Sequence, residues 1–330
     1  MAAIVPMAKP PSGRLMSAVL ALTALAVTPA GSPPSQLDGA GPAAVGDAVG
    51  AGAAESRPAG LDVYRGLGSW VDIYDVAALA DPEGTVAAMV DRGVRTLYIE
   101  TSNFKRRRPF VHREELGRFV DAAHERGMAV VAWYLPGFTR PDVDLRRSLL
   151  AIGFRTSSGE RFDSFALDIE SPELENPSTR TARLRELSEA IREAVGEGYP
   201  LGAIVPSPRG MQKHPEYWPG FPWADLHRLY DVFVPMTYFT WRTSGPEGAR
   251  RYSSGNVRII RRAVADRSVP IHVIGGISDE STTAEARGFV RAVRELGVLG
   301  GSYYDFVGTT SGQWAELARI PDDPGRASSG

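Results

Sequence analysis

The chain has 330 residues, 43% hydrophobic and 23% charged, with no cysteine and a formal net charge of −2. Without cysteine there are no disulfides, no thiolate metal ligands, no cysteine nucleophile and no lipidated N-terminal cysteine. The near-balanced charge lacks the basic excess typical of nucleic-acid binding, so no nucleic-acid partner is expected.

Lys9 and Arg14 precede a largely apolar run over residues 15–27, which ends at Thr28-Pro29-Ala30. This order reads as an export signal over residues 1–30, with small residues at its cleavage site. The run is well short of the ~20 residues that span a bilayer, so no stable membrane anchor is expected after cleavage. The expected location is outside the cell or in the cell envelope. Residues 31–60 are mostly Ala, Gly, Pro and Ser and cannot bury enough surface to offset their ordering entropy, which reads as a flexible linker. The folded domain is expected over residues 61–330, as a monomer.

Beyond residue 60, eight short β-rich apolar runs recur, at residues 64–70, 96–100, 129–134, 164–170, 201–205, 232–236, 270–275 and 300–304. Helical spacing fills the intervals. Asp81-Pro82 supplies an N-cap with proline at the first helical position, and that helix ends near Gly93. Residues 113–126 are closed by Gly127, 180–195 by Gly196 and 282–296 by Gly297. Eight strands each followed by a helix or turn predict a parallel sheet covered by helices. Closure into a single (β/α)8 TIM barrel is the economical solution, with an open doubly wound sheet as the alternative.

In such a barrel the chemistry sits at the C-terminal ends of the strands. The residues there are Trp70, Asp72, Glu100, Trp133, Tyr134, Asp168, Glu170, Met236, Tyr238, Trp241, Tyr303, Tyr304 and Asp305. Carboxylates and aromatics dominate, and histidine is missing. Within the fourth run, Asp168 and Glu170 are two apart and so share one side of a strand. Two carboxylates in a partly desolvated mouth raise one another's pKa, as a glycosidic proton donor requires. A buried acidic pair held by arginines is the structural alternative.

The spacing Asp163-x4-Asp168-x-Glu170 resembles the strand-four signature of family 18 glycoside hydrolases, the chitinase group. Met236-Thr237-Tyr238 resembles that family's Met-x-Tyr at strand six. The resemblance implies Glu170 as general acid and Asp168 as the aspartate that orients the substrate's N-acetyl group. It also implies Tyr238 as the tyrosine that steadies the acetamido oxygen. The sequence departs from the family pattern at Ala166, where the middle aspartate would stand, at Ser164 in place of glycine, and at Phe239 after the tyrosine.

Glu100 ends the second run and is a second catalytic candidate, as nucleophile or base, or else a partner of the basic run from Lys105 to Arg108. That run is a solvated loop or a holder of an anionic polymer. Trp70, Trp133, Tyr134, Trp241, Tyr303 and Tyr304, with Tyr217, Trp218, Phe221 and Trp223 after the fifth run, suit the apolar faces of sugar rings. Asp72 and Asp305 are further substrate-binding candidates, alongside Met236. The five histidines lack metal-ligand spacing, and neither metal nor cofactor is implied. Two other functions stay open: a barrel that binds glycans without cutting them, and a phosphate-binding barrel built on Gly275-Gly276 and Gly300-Gly301.

Overall fold

The computed structural model describes residues 60–322. The expected export signal and the linker up to residue 59 lie outside them. A short 3-10 turn, Gly60–Tyr64, leads into strand β1, Gly66–Val71. Helices α1, Val76–Ala80, and α2, Pro82–Val90, follow, then β2, Thr96–Asn103, and α3, Arg113–His124. The next pairs are β3, Ala129–Leu135, with α4, Pro141–Ile152, and β4, Ser164–Asp168, with α5, Pro177–Val195. Strand β5, Leu201–Val205, is followed by α6, Pro208–Lys213, and α7, Trp223–Leu229. The chain then runs through β6, Val232–Pro235, α8, Gly245–Ala263, β7, His272–Ile277, and α9, Thr283–Leu296. It finishes with β8, Gly300–Tyr304, and α10, Ser311–Leu317.

The strands pair in parallel in the order β6-β5-β4-β3-β2-β1-β8-β7. Bridges Phe233↔Ile271 and Met236↔Ile274 join the two ends, so the sheet closes into a (β/α)8 barrel and the open-sheet alternative is set aside. Local chemistry sets the helix boundaries. Asp81 caps α2 by accepting from Gly84 N at 3.0 Å, and Thr282 with Glu285 forms a capping box on α9. Gly297 ends α9 in the left-handed region, φ 55°.

Alternation divides each strand between two cores. Outward residues such as Leu67, Leu97, Val130, Phe165, Ala203, Phe233 and Val273 pack under the helices. Inward residues fill the lumen, with large rings set against glycines. A Cβ on Gly68 would lie 2.7 Å from the Tyr98 ring, and one on Gly202 would lie 2.6 Å from the Tyr64 hydroxyl. The lumen is therefore a packed core with its open end at the strand C-termini.

Helices α8 and α9 approach closely enough to need a glycine. A Cβ at Gly288 would sit 2.0 Å from the Pro246 carbonyl oxygen. Alanine in a helix interior ordinarily stabilises by about 0.5–1 kcal/mol over glycine. Here the overlap with backbone reverses the sign, and Gly288→Ala is expected to cost about 1–3 kcal/mol. A thermal melt of the variant checks this, and an unchanged or higher melting temperature would contradict the close packing.

Three expectations need correction. Strand β4 stops at Asp168, so Glu170 stands in the turn after it rather than in the strand. Two of the aromatics after β5, Trp218 and Phe221, are core residues rather than part of an open sugar-binding loop. Trp218 is buried, donates its indole N–H to Thr181 Oγ1 at 2.9 Å, and packs edge-on against Phe138 and Phe221. The glycines suggested as a phosphate cradle are filled by protein. A Cβ on Gly275 or Gly301 would meet Phe289 within 2.9 Å, and one on Gly300 would meet the Gly66 carbonyl at 2.2 Å.

Candidate active site

The inward alternation brings Trp70, Glu100, Trp133 and Asp168 to one mouth, with Asp72 and Glu170 just beyond their strands. Tyr304 arrives from β8, and Met236 with Tyr238 follows β6. Tyr134 and Tyr303 do not join them, because each is one residue out of phase with its inward neighbour. The Tyr134 hydroxyl donates to Asp144 Oδ1 on α4 at 2.6 Å, and the Tyr303 ring packs on Phe239 and Phe289 in the outer core. Phe239 lies in that same outer layer, fully buried, so its departure from the family pattern does not reach the mouth.

The floor is aromatic. Trp70 stacks on Tyr98 at 4.3 Å and 10°, and meets Trp133 edge-on at 5.9 Å. A relay of hydrogen bonds fixes the Trp70 ring. Its Nε1–H donates to Ser302 Oγ at 2.8 Å, Ser302 is 3.1 Å from His272 Nε2, and His272 Nδ1 is 2.9 Å from the Tyr64 carbonyl. A carbonyl can only accept, so Nδ1 carries the proton and Nε2 accepts from the serine hydroxyl. Burial pushes the His272 pKa down to about 4, which keeps the imidazole in that neutral form. Ser302→Ala would strand the indole N–H and Nε2 together. The expected loss is about 2–4 kcal/mol in a urea titration, and a loss below about 1 kcal/mol would mean the relay is not what holds the ring.

The rim carries the carboxyls, and their partners separate them. Glu100 is buried, with Oε1 accepting from Asn103 Nδ2 at 2.9 Å and Oε2 from Ile73 N at 3.3 Å. Asp72 accepts from Tyr74 N at 2.6 Å and from the Tyr304 hydroxyl. Asp305 accepts from Gly308 N at 2.7 Å. Asp163 lies at the other end of β4, where it accepts from Val130 N at 2.8 Å and pairs with His124. Asp168 and Glu170 differ from all of these. Among the described residues, neither side chain receives a hydrogen bond or joins an ion pair, and Asp168 Oδ1 is fully buried without a partner.

Desolvation dominates the proton affinity of this cluster. It raises Glu170 to about 8, against a lowering pull from Lys105. It raises Glu100 to about 8, helped by Asp72 and opposed by the Asn103 and Ile73 hydrogen bonds. Asp168 is pushed well up by burial and by the neighbouring Glu170 and Glu100. Burial thus favours the protonated forms of Glu100, Asp168 and Glu170, and the two without partners are the ones able to give a proton away.

Two features unseen from sequence hold Glu170 in place. The Tyr217 hydroxyl donates to the Glu170 carbonyl. Arg180, on α5 and almost fully buried, donates to the Tyr217 carbonyl at 2.5 Å and the Ser171 carbonyl at 3.4 Å, and lies 4.1 Å above the Trp218 ring. Across the mouth, Thr237 Oγ1 donates to the Ile274 carbonyl at 2.7 Å and anchors the turn in which Tyr238 adopts φ 35°. A left-handed tyrosine is a strained residue held by its surroundings. Its ring packs edge-on against Tyr304 at 6.4 Å and Trp241 at 5.5 Å, and the Trp241 N–H donates to Glu280.

Fold and site together define a (β/α)8 barrel with a desolvated acidic mouth over an aromatic floor. The sequence matches no protein-family model, and no curated protein matches it. Among solved structures it is similar to the endo-β-1,4-mannanase of Thermotoga petrophila, with a TM-score of 0.57 and 14% identity over 75% of this chain and 69% of that one. It is also similar to a class V chitinase from Pseudomonas fluorescens, with a TM-score of 0.54 and 11% identity over 77% and 98%. The spore cortex-lytic enzyme SleL of Bacillus megaterium gives a TM-score of 0.51 and 9% identity over 78% and 74%. These likenesses establish a shared barrel fold.

Proposed function

We propose that the chain is an exported glycoside hydrolase acting on a polysaccharide or cell-wall glycan, with Glu170 as the general acid. The observation that carries this reading is the pair Asp168 and Glu170, raised in proton affinity and without hydrogen-bond partners among carboxyls that are otherwise engaged. A buried acid left unsatisfied costs stability, and that cost has a rationale where a substrate atom completes the hydrogen bond. Glu170 would protonate the leaving glycosidic oxygen as the C–O bond breaks. Water would add to the anomeric carbon and its proton would return to the Glu170 carboxylate, while Asp168 would support the acid by holding the reacting sugar. Tyr238 would contact that sugar across the mouth, while Trp70 and Trp133 would receive its apolar face. Glu100 fits a supporting role better than that of nucleophile, because both its oxygens already accept hydrogen bonds and burial keeps it protonated. The mannanase, chitinase and cortex-lytic enzyme among the structural neighbours support glycan chemistry on this barrel, in keeping with the strand-four and strand-six motifs.

A barrel that binds glycans without cutting them is the second reading, and Ala166 favours it. Its methyl group points into the lumen below Asp168, so no carboxyl there hands a hydrogen bond to Asp168 Oδ1. Incubating the protein with mannan, chitin, peptidoglycan and acidic polysaccharides, with products read by mass spectrometry, separates the two. Cleavage of any of them supports the hydrolase. Retention on a glycan with no product supports the binding barrel.

A further inference from the structure

The basic run after β2 is built into the mouth rather than left loose beside it. Arg147, buried on α4, donates to the Asn103 carbonyl at 2.7 Å and to the Arg106 carbonyl. Ser102 Oγ donates to the Arg108 carbonyl at 2.8 Å, and the Arg106 guanidinium lies 4.6 Å over the Tyr74 ring. Lys105 N is 3.1 Å from Asn103 Oδ1, and the same side chain donates to Glu100, so one asparagine ties the loop to the acidic rim. Charge follows the geometry, since Lys105 acts on Glu170 and Arg106 on Glu100.

None of Lys105, Arg106, Arg107 and Arg108 joins an ion pair among the described residues, while Arg118, Arg185, Arg228, Arg250 and Arg291 elsewhere all do. Burial raises the proton affinity of Glu100 and Glu170, the two acids on which these cations act, so neither pairs with them. Four like charges anchored together by backbone contacts, none of them in an ion pair among the described residues, form a site of positive potential. We propose that this rim is a subsite for an acidic sugar. The substrate is then a glycan carrying a carboxylate on the unit that crosses the β2 loop, next to the unit held at Glu170. This rests on the glycosidase reading and names its substrate class.

The test is equilibrium binding of the full chain, in a Glu170→Gln background to stop turnover. The ligands are pectate, alginate and hyaluronan oligosaccharides, each beside its carboxyl-reduced counterpart, with a phosphate-bearing mannan as a further arm. The expected result is roughly tenfold tighter binding of at least one acidic oligosaccharide than of its reduced counterpart, weakening with salt. Lys105→Ala/Arg107→Ala/Arg108→Ala should bring that ratio to about one while leaving affinity for the reduced counterpart unchanged. Equal binding of both forms, no binding of any acidic ligand, or a ratio that survives the triple variant overturns the proposal. A preference for the phosphate polymer alone also overturns the carboxylate assignment. Neutral-glycan cleavage without acidic preference would leave the hydrolase standing and remove this inference. Acidic-glycan binding by an inert wild type would do the reverse.

Discussion

Glu170→Gln should move activity and stability in opposite directions. Turnover on any glycan that the wild type cleaves is expected to fall by about 10²–10⁴, the range for loss of a positioned general acid. Stability at pH 8.5 is expected to rise by about 1–3 kcal/mol. Glutamine keeps the shape and removes the charge that desolvation penalises, and the Glu170 carboxyl has no hydrogen bond to lose. Asp168→Asn should behave likewise, since its Oδ1 is buried and unpartnered. Glu100→Gln should not. Both its oxygens accept from N–H donors, so an amide NH2 would face a donor on one side and cancel part of the gain. The wild-type rate should also decline through about pH 8, where Glu170 loses its proton, and residual activity of Glu170→Gln should lack that limb. Parallel kinetics and urea titrations check both halves. A variant that is destabilised, or that retains wild-type turnover, would remove Glu170 from the role of acid.

The trade between stability and reactivity also explains how the mouth is assembled. Satisfied carboxyls tie the loop after β1 to its neighbours, Asp72 to Tyr304 of β8 and Glu100 of β2 to Ile73, while the Asp305 carboxyl holds its own turn at Gly308. Unsatisfied ones, Asp168 and Glu170, stand at the end of one strand, β4. Their loop is held by a buried arginine and a tyrosine that contact backbone rather than the acids themselves. The carboxyls are thus fixed in place and still available.

Much of this was legible in the chain because period-two apolar runs and glycine or Asp-Pro punctuation survive without tertiary context. All eight strands fall within the expected runs or within a few residues of them, and the acidic pair of β4 follows from spacing alone. Adjacent aromatics were not resolvable. In Trp133-Tyr134 and Tyr303-Tyr304 either ring could face inward, and a shift of one residue exchanges lumen for outer core. The decisive contacts, Asp144 with Tyr134 and Phe289 with Tyr303, come from helices later in the chain. The same alternation contains a signal for Tyr98 and Ser302, which stand two residues before Glu100 and Tyr304 and so share their side. Arg147 and Arg180 carry no such signal. Each is one arginine among many on a helix, and only the fold reveals which loop it clamps.

Stability should peak at mildly acidic pH, about 5, and fall steadily toward pH 9, because the buried acids and the buried histidine titrate in opposite senses. Glu100 and Glu170 rise from an ordinary value of 4.5 to about 8, and Asp168 moves the same way. Between those values the folded chain keeps protons that the unfolded chain has released. Their stabilising effect is therefore complete below about pH 4.5 and lost as pH climbs through about 8. His272 falls from 6.5 to about 4, so the unfolded chain takes a proton that the folded chain refuses. Its effect is complete above 6.5 and lost as pH drops toward 4. More than one acid opposes a single histidine across the shared interval, so the acids set the slope above pH 5. The decline between pH 5 and pH 9 is expected to be roughly 3–5 kcal/mol, smaller than the summed shifts because Glu170 is partly exposed. Urea titrations at five pH values measure it, with Asp168→Asn/Glu170→Gln as the control that should make the curve shallower and leave the slope set by Glu100. A wild-type stability that stays level to pH 9, or a double variant with the same slope, would mean that water or a counter-charge already solvates these carboxyls. The mouth would then lack the raised proton affinity on which the proposed acid chemistry depends.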